Sequence, residues 1–167
     1  MKILVRLLTA LLVASLAFVS VPGAHAVAEG ETQGCTPGYW KNFRHFDSWQ
    51  EAQPTSLFTT KFEIATPTVD PLNGLTFIQA LQGGGGDDLV GARKILARAA
   101  TAAYLNAAYD APDGSAMFYP WRRYSANLGR PALVPTVAAV ITGTDRGAML
   151  ELAAWLDADN NLGCPLN

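Results

Sequence analysis

Two cysteines, Cys35 and Cys164, stand near the two ends of the foldable part of this chain, and a segment built like a secretory signal precedes the first. Lys2 and Arg6 give that segment a positive start, and Leu7 to Val21 is an apolar run of 15 residues. Pro22-Gly23 breaks the run, and Ala24-His25-Ala26 supplies a small-x-small cleavage site. The run is too short for an ordinary spanning helix, which needs about 20 apolar residues. A chain sent to an oxidising compartment with an even cysteine count is expected to join its thiols. A cross-link over 129 residues removes unfolded-state freedom equivalent to about 5 kcal/mol in the chain-entropy description. The expectation is a signal over residues 1–26, a flexible lead over 27–34, and one covalently closed domain over 35–167.

Charge narrows the partners. The chain has 12 basic and 14 acidic residues, and without Lys2 and Arg6 ten basic residues remain against fourteen acidic ones, a net charge of −4. A mildly acidic domain lacks the electrostatic footprint of a nucleic-acid binder and has no attraction to anionic lipid. Membrane insertion after signal cleavage is not expected either.

Periodicity points to an all-α fold, a compact bundle of four to five helices closed by one disulfide between the ends of the domain. Thr36-Pro37 is a good helix start, and Tyr39, Phe43, Phe46 and Trp49 share one arc of a helix running to about Gln50. Thr55 to Asn73 reads as a loop, with a short strand at Phe62 to Ile64. A short helix follows from Leu75 to Gln82. The longest helix spans about Leu89 to Tyr109, with Leu89, Ala92, Ile95, Leu96, Ala99, Ala103 and Ala107 inward and Arg93, Lys94 and Arg98 outward. A short helix from Tyr119, one over Pro135 to Thr142, and one over Arg146 to Ala158 complete the set.

Three pieces carry a resemblance: the opening Cys35-Thr36-Pro37-Gly38-Tyr39-Trp40-Lys41-Asn42, the segment Ala103-Tyr104-Leu105-Asn106-Ala107-Ala108, and the close Asp159-Asn160-Asn161-Leu162-Gly163-Cys164. Together they resemble a domain with a C-T-P-G-[YF]-W-K-N opening and an N-N-x-G-C close that recurs in secreted and surface-attached microbial proteins. That pattern usually has His after K-N, whereas here Phe43 stands there and His45 comes two residues later. The resemblance implies an extracellular, self-contained domain and brings no chemistry with it.

Two groups of residues are candidates for binding an extracellular glycan or a surface protein. The first is the aromatic N-terminal helix with Tyr39, Trp40, Lys41, Arg44, His45 and Trp49, which has more rings than one face of a small helix can bury. Exposed flat rings stack on sugars. The second is Tyr119, Trp121, Arg122, Arg123 and Tyr124, where guanidinium groups among rings suit a carboxylate, a phosphate or a sugar face. Each group also has a plain packing role open to it. Asn42 and Asn106 both point to apolar arcs, where a buried amide must find partners.

The alternative is a small secreted hydrolase using Asp47, Glu51 or Glu63 with His45. No nucleophile elbow accompanies the histidine, and His45 with Asp47 falls short of the three or four ligands zinc takes. Gly83 to Gly86 precede a helix, but Asp87 and Asp88 stand where a phosphate would sit. Asp157, Asp159 and Asn161 have the spacing of the first ligands of a calcium loop, yet Leu162 occupies the glycine position and no closing glutamate follows. No metal or cofactor is expected.

Overall fold

In a computed structural model, which describes residues 32–65, 69–109 and 117–166, the alanine-rich stretch forms the longest helix and lies at the centre. The signal expected over residues 1–26, and most of the lead, fall outside the described residues. The described residues form six α-helices: α1 Pro37–Trp40, α2 Phe58–Lys61, α3 Phe77–Gln82, α4 Leu89–Asn106, α5 Leu133–Ile141 and α6 Arg146–Asn160. Two 3-10 segments, Phe43–Ser48 and Ala107–Tyr109, accompany them, and the only β pairing among these residues is in isolated bridges. The all-α expectation stands, with more and shorter helices than the four to five expected. No helix of the described residues is long and apolar enough to cross a membrane.

Helix α4 starts where Asp88 accepts the Gly91 N–H at 2.7 Å, closing one of the free donors that every helix start presents. Gly91 has no room for a side chain, since a Cβ there would lie 2.4 Å from the Gly86 Cα. Ala97, Ala100, Ala102 and Ala103 are buried, so α4 is enclosed by neighbours, and its small side chains let them approach closely. Helix α6 packs on it most extensively, with α3, α5 and α1 around the remaining faces.

The buried stripe of α6 is Met149, Leu152, Ala153 and Leu156, as its periodicity predicts, and it continues into Asp159 and Asn160. Arg93 corrects the expected outward face of α4. It is buried, and its guanidinium donates to the carbonyls of Ile141 (3.1 Å), Gly143 (2.9 Å) and Asp70 (3.2 Å). A cation at the end of α5 thereby satisfies carbonyls that lack helical partners.

The N-terminal segment departs from a continuous helix. The Asn42 side chain accepts the Arg44 N–H at 3.1 Å and starts a separate 3-10 segment, so the 100° arc drawn through Tyr39 and Trp49 does not exist. Phe43 turns to solvent, 73% exposed. The expected strand at Phe62 to Ile64 is absent: Phe58 and Phe62 stack at 4.4 Å across the turn of α2, and Glu63 takes a left-handed backbone, φ 54°. Tyr119 to Tyr124 is not helical. Met117, Tyr119, Pro120 and Trp121 are buried along an irregular run from which Phe118 turns out, and the carbonyls of Arg122 and Arg123 accept the first two N–H groups of α5 at 2.9 Å.

Cys35 and Cys164 are joined, with Cα atoms 4.4 Å apart. Order begins before the first cysteine. Gln33 donates to the Phe118 carbonyl at 2.7 Å and Gly34 to the Gly163 carbonyl at 3.0 Å. Gly34 passes so close to α6 that a Cβ would sit 2.2 Å from the Asp159 carbonyl oxygen.

Candidate functional site

The three segments that carry the resemblance meet in one buried polar knot beside the disulfide. Its hub is Asn106, on the last turn of α4 and fully buried. The Asn106 Oδ1 accepts from the Cys35 N–H (2.9 Å) and the Trp40 Nε1–H (3.0 Å), while its Nδ2 donates to the Cys35 carbonyl (3.0 Å) and to Asn160 Oδ1 (2.9 Å). A carboxamide offers two donors and two lone pairs, so every valence is used. Asn160 takes a second bond from the Tyr119 hydroxyl at 2.7 Å and donates to the Ala99 carbonyl at 3.0 Å.

Next to it, the Asp159 carboxylate accepts from Trp121 Nε1 at 2.8 Å and from Arg130 in a two-point contact at 2.8 and 3.1 Å. Charge-assisted bonds of this fork geometry are the strong ones. The Arg130 guanidinium lies 4.6 Å over the Trp155 ring. Burial, and after it the nearby Asp159 charge, hold the Tyr119 phenol protonated well above the ordinary tyrosine range.

This arrangement corrects much of the expected aromatic surface. Trp40, Tyr119 and Trp121 are fully enclosed, and Tyr39 and Trp49 nearly so. Tyr39 donates to the Leu166 carbonyl at 2.9 Å, and Trp49 Nε1 donates to the Trp40 carbonyl at 3.2 Å. These rings cannot stack on a partner, because the domain's own interior covers them. Of the two asparagines expected inside, Asn106 is the hub and Asn42 is an exposed cap. The run Met117-Phe118-Tyr119-Pro120-Trp121 is apolar throughout, so no alternation in the sequence marks which of its rings turn inward. Trp155 escaped the sequence reading, although its place off the buried stripe of α6 marks it as a surface ring.

His45 stacks on Tyr39 at 4.0 Å. Arg44 is exposed and leans on Phe43, 5.9 Å from its centroid. Lys41 is exposed on the wall of a polar depression. Asp47, Glu51 and Glu63 are all exposed, and no contact among the described residues joins any of them to His45. The calcium spacing also dissolves. Asp159 faces inward to Trp121 and Arg130, while Asn161 Nδ2 donates to the Asp157 carbonyl at 2.7 Å. Residues two apart on a helix point to nearly opposite sides. Among the described residues no cluster of three or more His, Cys, Asp or Glu side chains is placed to hold a metal.

From the second candidate group Tyr124 stays open, with the largely covered Arg123 side chain, 14% exposed, at its edge. Arg123 pairs with Glu51 at 2.6 Å, lies 4.9 Å over the Tyr104 ring and reaches the Tyr104 hydroxyl at 3.4 Å. Glu51, itself in the left-handed region at φ 57°, also accepts Lys61 Nζ on its carbonyl at 2.6 Å. The Tyr124 ring is 62% exposed beside this group. Partial burial first, then Tyr104 and Glu63, raise its pKa. Arg122 is half-buried next to it, and desolvation lowers its pKa. The result is an open aromatic face with a guanidinium and a carboxylate fixed at its edge. Compared with known protein families, with curated proteins and with solved structures, the chain matches none.

Proposed function

We propose that this protein is a secreted extracellular binding module that holds a cell-surface glycan at the Arg123–Tyr124 patch. The observation that carries the reading is the accessible Tyr124 ring beside the Arg123–Glu51 pair. A sugar presents an apolar face and a rim of hydroxyls. It is matched by a flat ring flanked by a few fixed polar groups. Arg123 is already oriented by Glu51 and Tyr104, so little side-chain freedom is lost on binding.

The signal-like residues 1–26 and the resemblance of the opening and closing segments support an extracellular setting, and the disulfide agrees with it. The knot around Asn106 has a structural part in this reading: it fastens the two ends of the domain to α4 and leaves the surface free for contact.

The test is retention on a panel of insoluble cell-wall and plant polysaccharides. Tyr124→Ala should weaken retention about two- to tenfold, as loss of a stacking ring does, with an unchanged unfolding curve. Absence of wild-type retention on every member of the panel refutes the reading.

A further inference from the structure

A second surface, on different elements, has the makings of a charged groove. Three adjoining depressions run along the side of α4 that bears Lys94 and Arg98. The largest, about 380 Å³, has Lys41, Gln82, Arg98, Asp157 and Asn161 in its walls. A smaller one of about 140 Å³ shares Gly83 with it and adds Lys94. Another of about 140 Å³ shares Arg98 and Asp157 and is otherwise lined by aliphatic side chains such as Ile95 and Leu150. The shared residues set the three side by side along α4, as a trough divided at Gly83 and at Arg98 with Asp157.

The cations of the trough differ from the three guanidinium groups that the fold itself holds. Arg123 and Arg130 are paired with carboxylates, and Arg93 is satisfied by carbonyls. Lys41, Lys94 and Arg98, by contrast, have no side-chain partner among the described residues. Three unpaired cations converge on one trough of a domain whose overall balance is acidic. Low-dielectric walls focus their field on whatever enters.

We propose that this trough binds an acidic polysaccharide, a chain of uronic acid residues. The trough's length calls for an extended ligand, and its row of cations calls for repeated carboxylates. Lys94 and Arg98 are four residues apart on one helix, so they are neighbours along the trough. Asp157, Gln82 and the free Oδ1 of Asn161 provide acceptors and donors for hydroxyl groups, and Ile95 with Leu150 offers an apolar wall to the C–H face of a sugar ring. A nucleic acid fits less well. No aromatic ring lines the trough for base stacking, and the Asp157 carboxylate opposes a dense row of phosphates.

Calorimetric titration of the protein tests this with three probes: an oligogalacturonate, a neutral cello-oligosaccharide of equal length, and inorganic phosphate. The oligogalacturonate should bind and weaken with added salt. Lys41→Gln and Arg98→Gln should each cut its affinity about tenfold, as loss of a charge-assisted contact does. Asp157→Asn, which removes a like charge from the trough, should tighten it. That gain cannot come from misfolding. Tyr124→Ala should leave this affinity unchanged, which separates the trough from the patch proposed above. No binding of the oligogalacturonate, equal binding of the neutral oligosaccharide, binding of phosphate alone, or indifference to Lys41→Gln and Arg98→Gln together each overturns the proposal.

Discussion

Replacing Asn106 by alanine removes four hydrogen bonds while leaving almost every group that made them in place. The Cys35 N–H, the Cys35 carbonyl and the Trp40 indole N–H lose the partners that now sit within 3.0 Å. Both residues are fully buried, so water does not replace those partners without entering the core. Asn160 Oδ1 keeps the Tyr119 hydroxyl and is only partly deprived. A buried donor or acceptor left unsatisfied costs about 1–3 kcal/mol, which for three groups amounts to about 3–9 kcal/mol. Domains of this kind have about 5–15 kcal/mol in total, so the variant should be close to unfolded at room temperature or lose a large part of its stability. Urea unfolding followed by tryptophan fluorescence, with the disulfide intact, measures the loss by linear extrapolation. Asn106→Asp is the sharper companion, because its second oxygen would face the Cys35 carbonyl and Asn160 Oδ1 where two donors now stand. Asn42→Ala, at an exposed cap, sets the scale at about 1 kcal/mol. If Asn106→Ala costs no more than Asn42→Ala, the knot is not what fastens the ends of the domain, and the reasoning fails.

Two further outcomes follow from the same interior. Cys35→Ser combined with Cys164→Ser opens a 129-residue loop and should lower stability by about 5 kcal/mol; an unchanged urea midpoint would contradict that. The raised pKa of Tyr119 gives a pH signature. An unfolded phenol ionises near 10.0 while the folded one stays protonated well above it, so its stabilisation is whole below pH 10 and drains as pH rises from there towards the folded value. Comparing urea midpoints at about pH 9 and about pH 11, Tyr119→Phe should show a smaller alkaline loss than wild type.

Helices α4 and α6 were legible in the sequence because each combines apolar periodicity with a capping aspartate, Asp88 and Asp145, whereas α5, capped by Ala132 without a side-chain bond, was marked by Pro135 near its first turn. The joined cysteines followed from their number and the signal-like start. The aromatic opening was not legible as drawn. A helical wheel through Tyr39, Phe43, Phe46 and Trp49 assumes unbroken 3.6-residue turns, and Asn42 interrupts them by capping a new segment. The helical wheel puts Arg93 outside with Lys94 and Arg98, yet the carbonyls at the end of α5 hold its guanidinium without any acid nearby. The knot itself could be read only in part. Asn106 on an apolar arc announced a buried amide, but its partners come from residues 71 and 54 positions away, and only tertiary packing brings those together. The trough was invisible for the same reason, since its cations come from α4 and from the segment after α1.

The closeness of the two sulfur-bearing residues has a mechanical meaning. If the flanking arms are pulled apart, by flow over a cell or by a moving attachment, the load enters at Cys35 and leaves at Cys164 through a single covalent link. The helices between them are shielded by that link from all but the load passed through the Gln33–Phe118 and Tyr39–Leu166 hydrogen bonds. Such a domain resists drag as a rivet does, giving way when the link is reduced or ruptured and not by unravelling turn by turn.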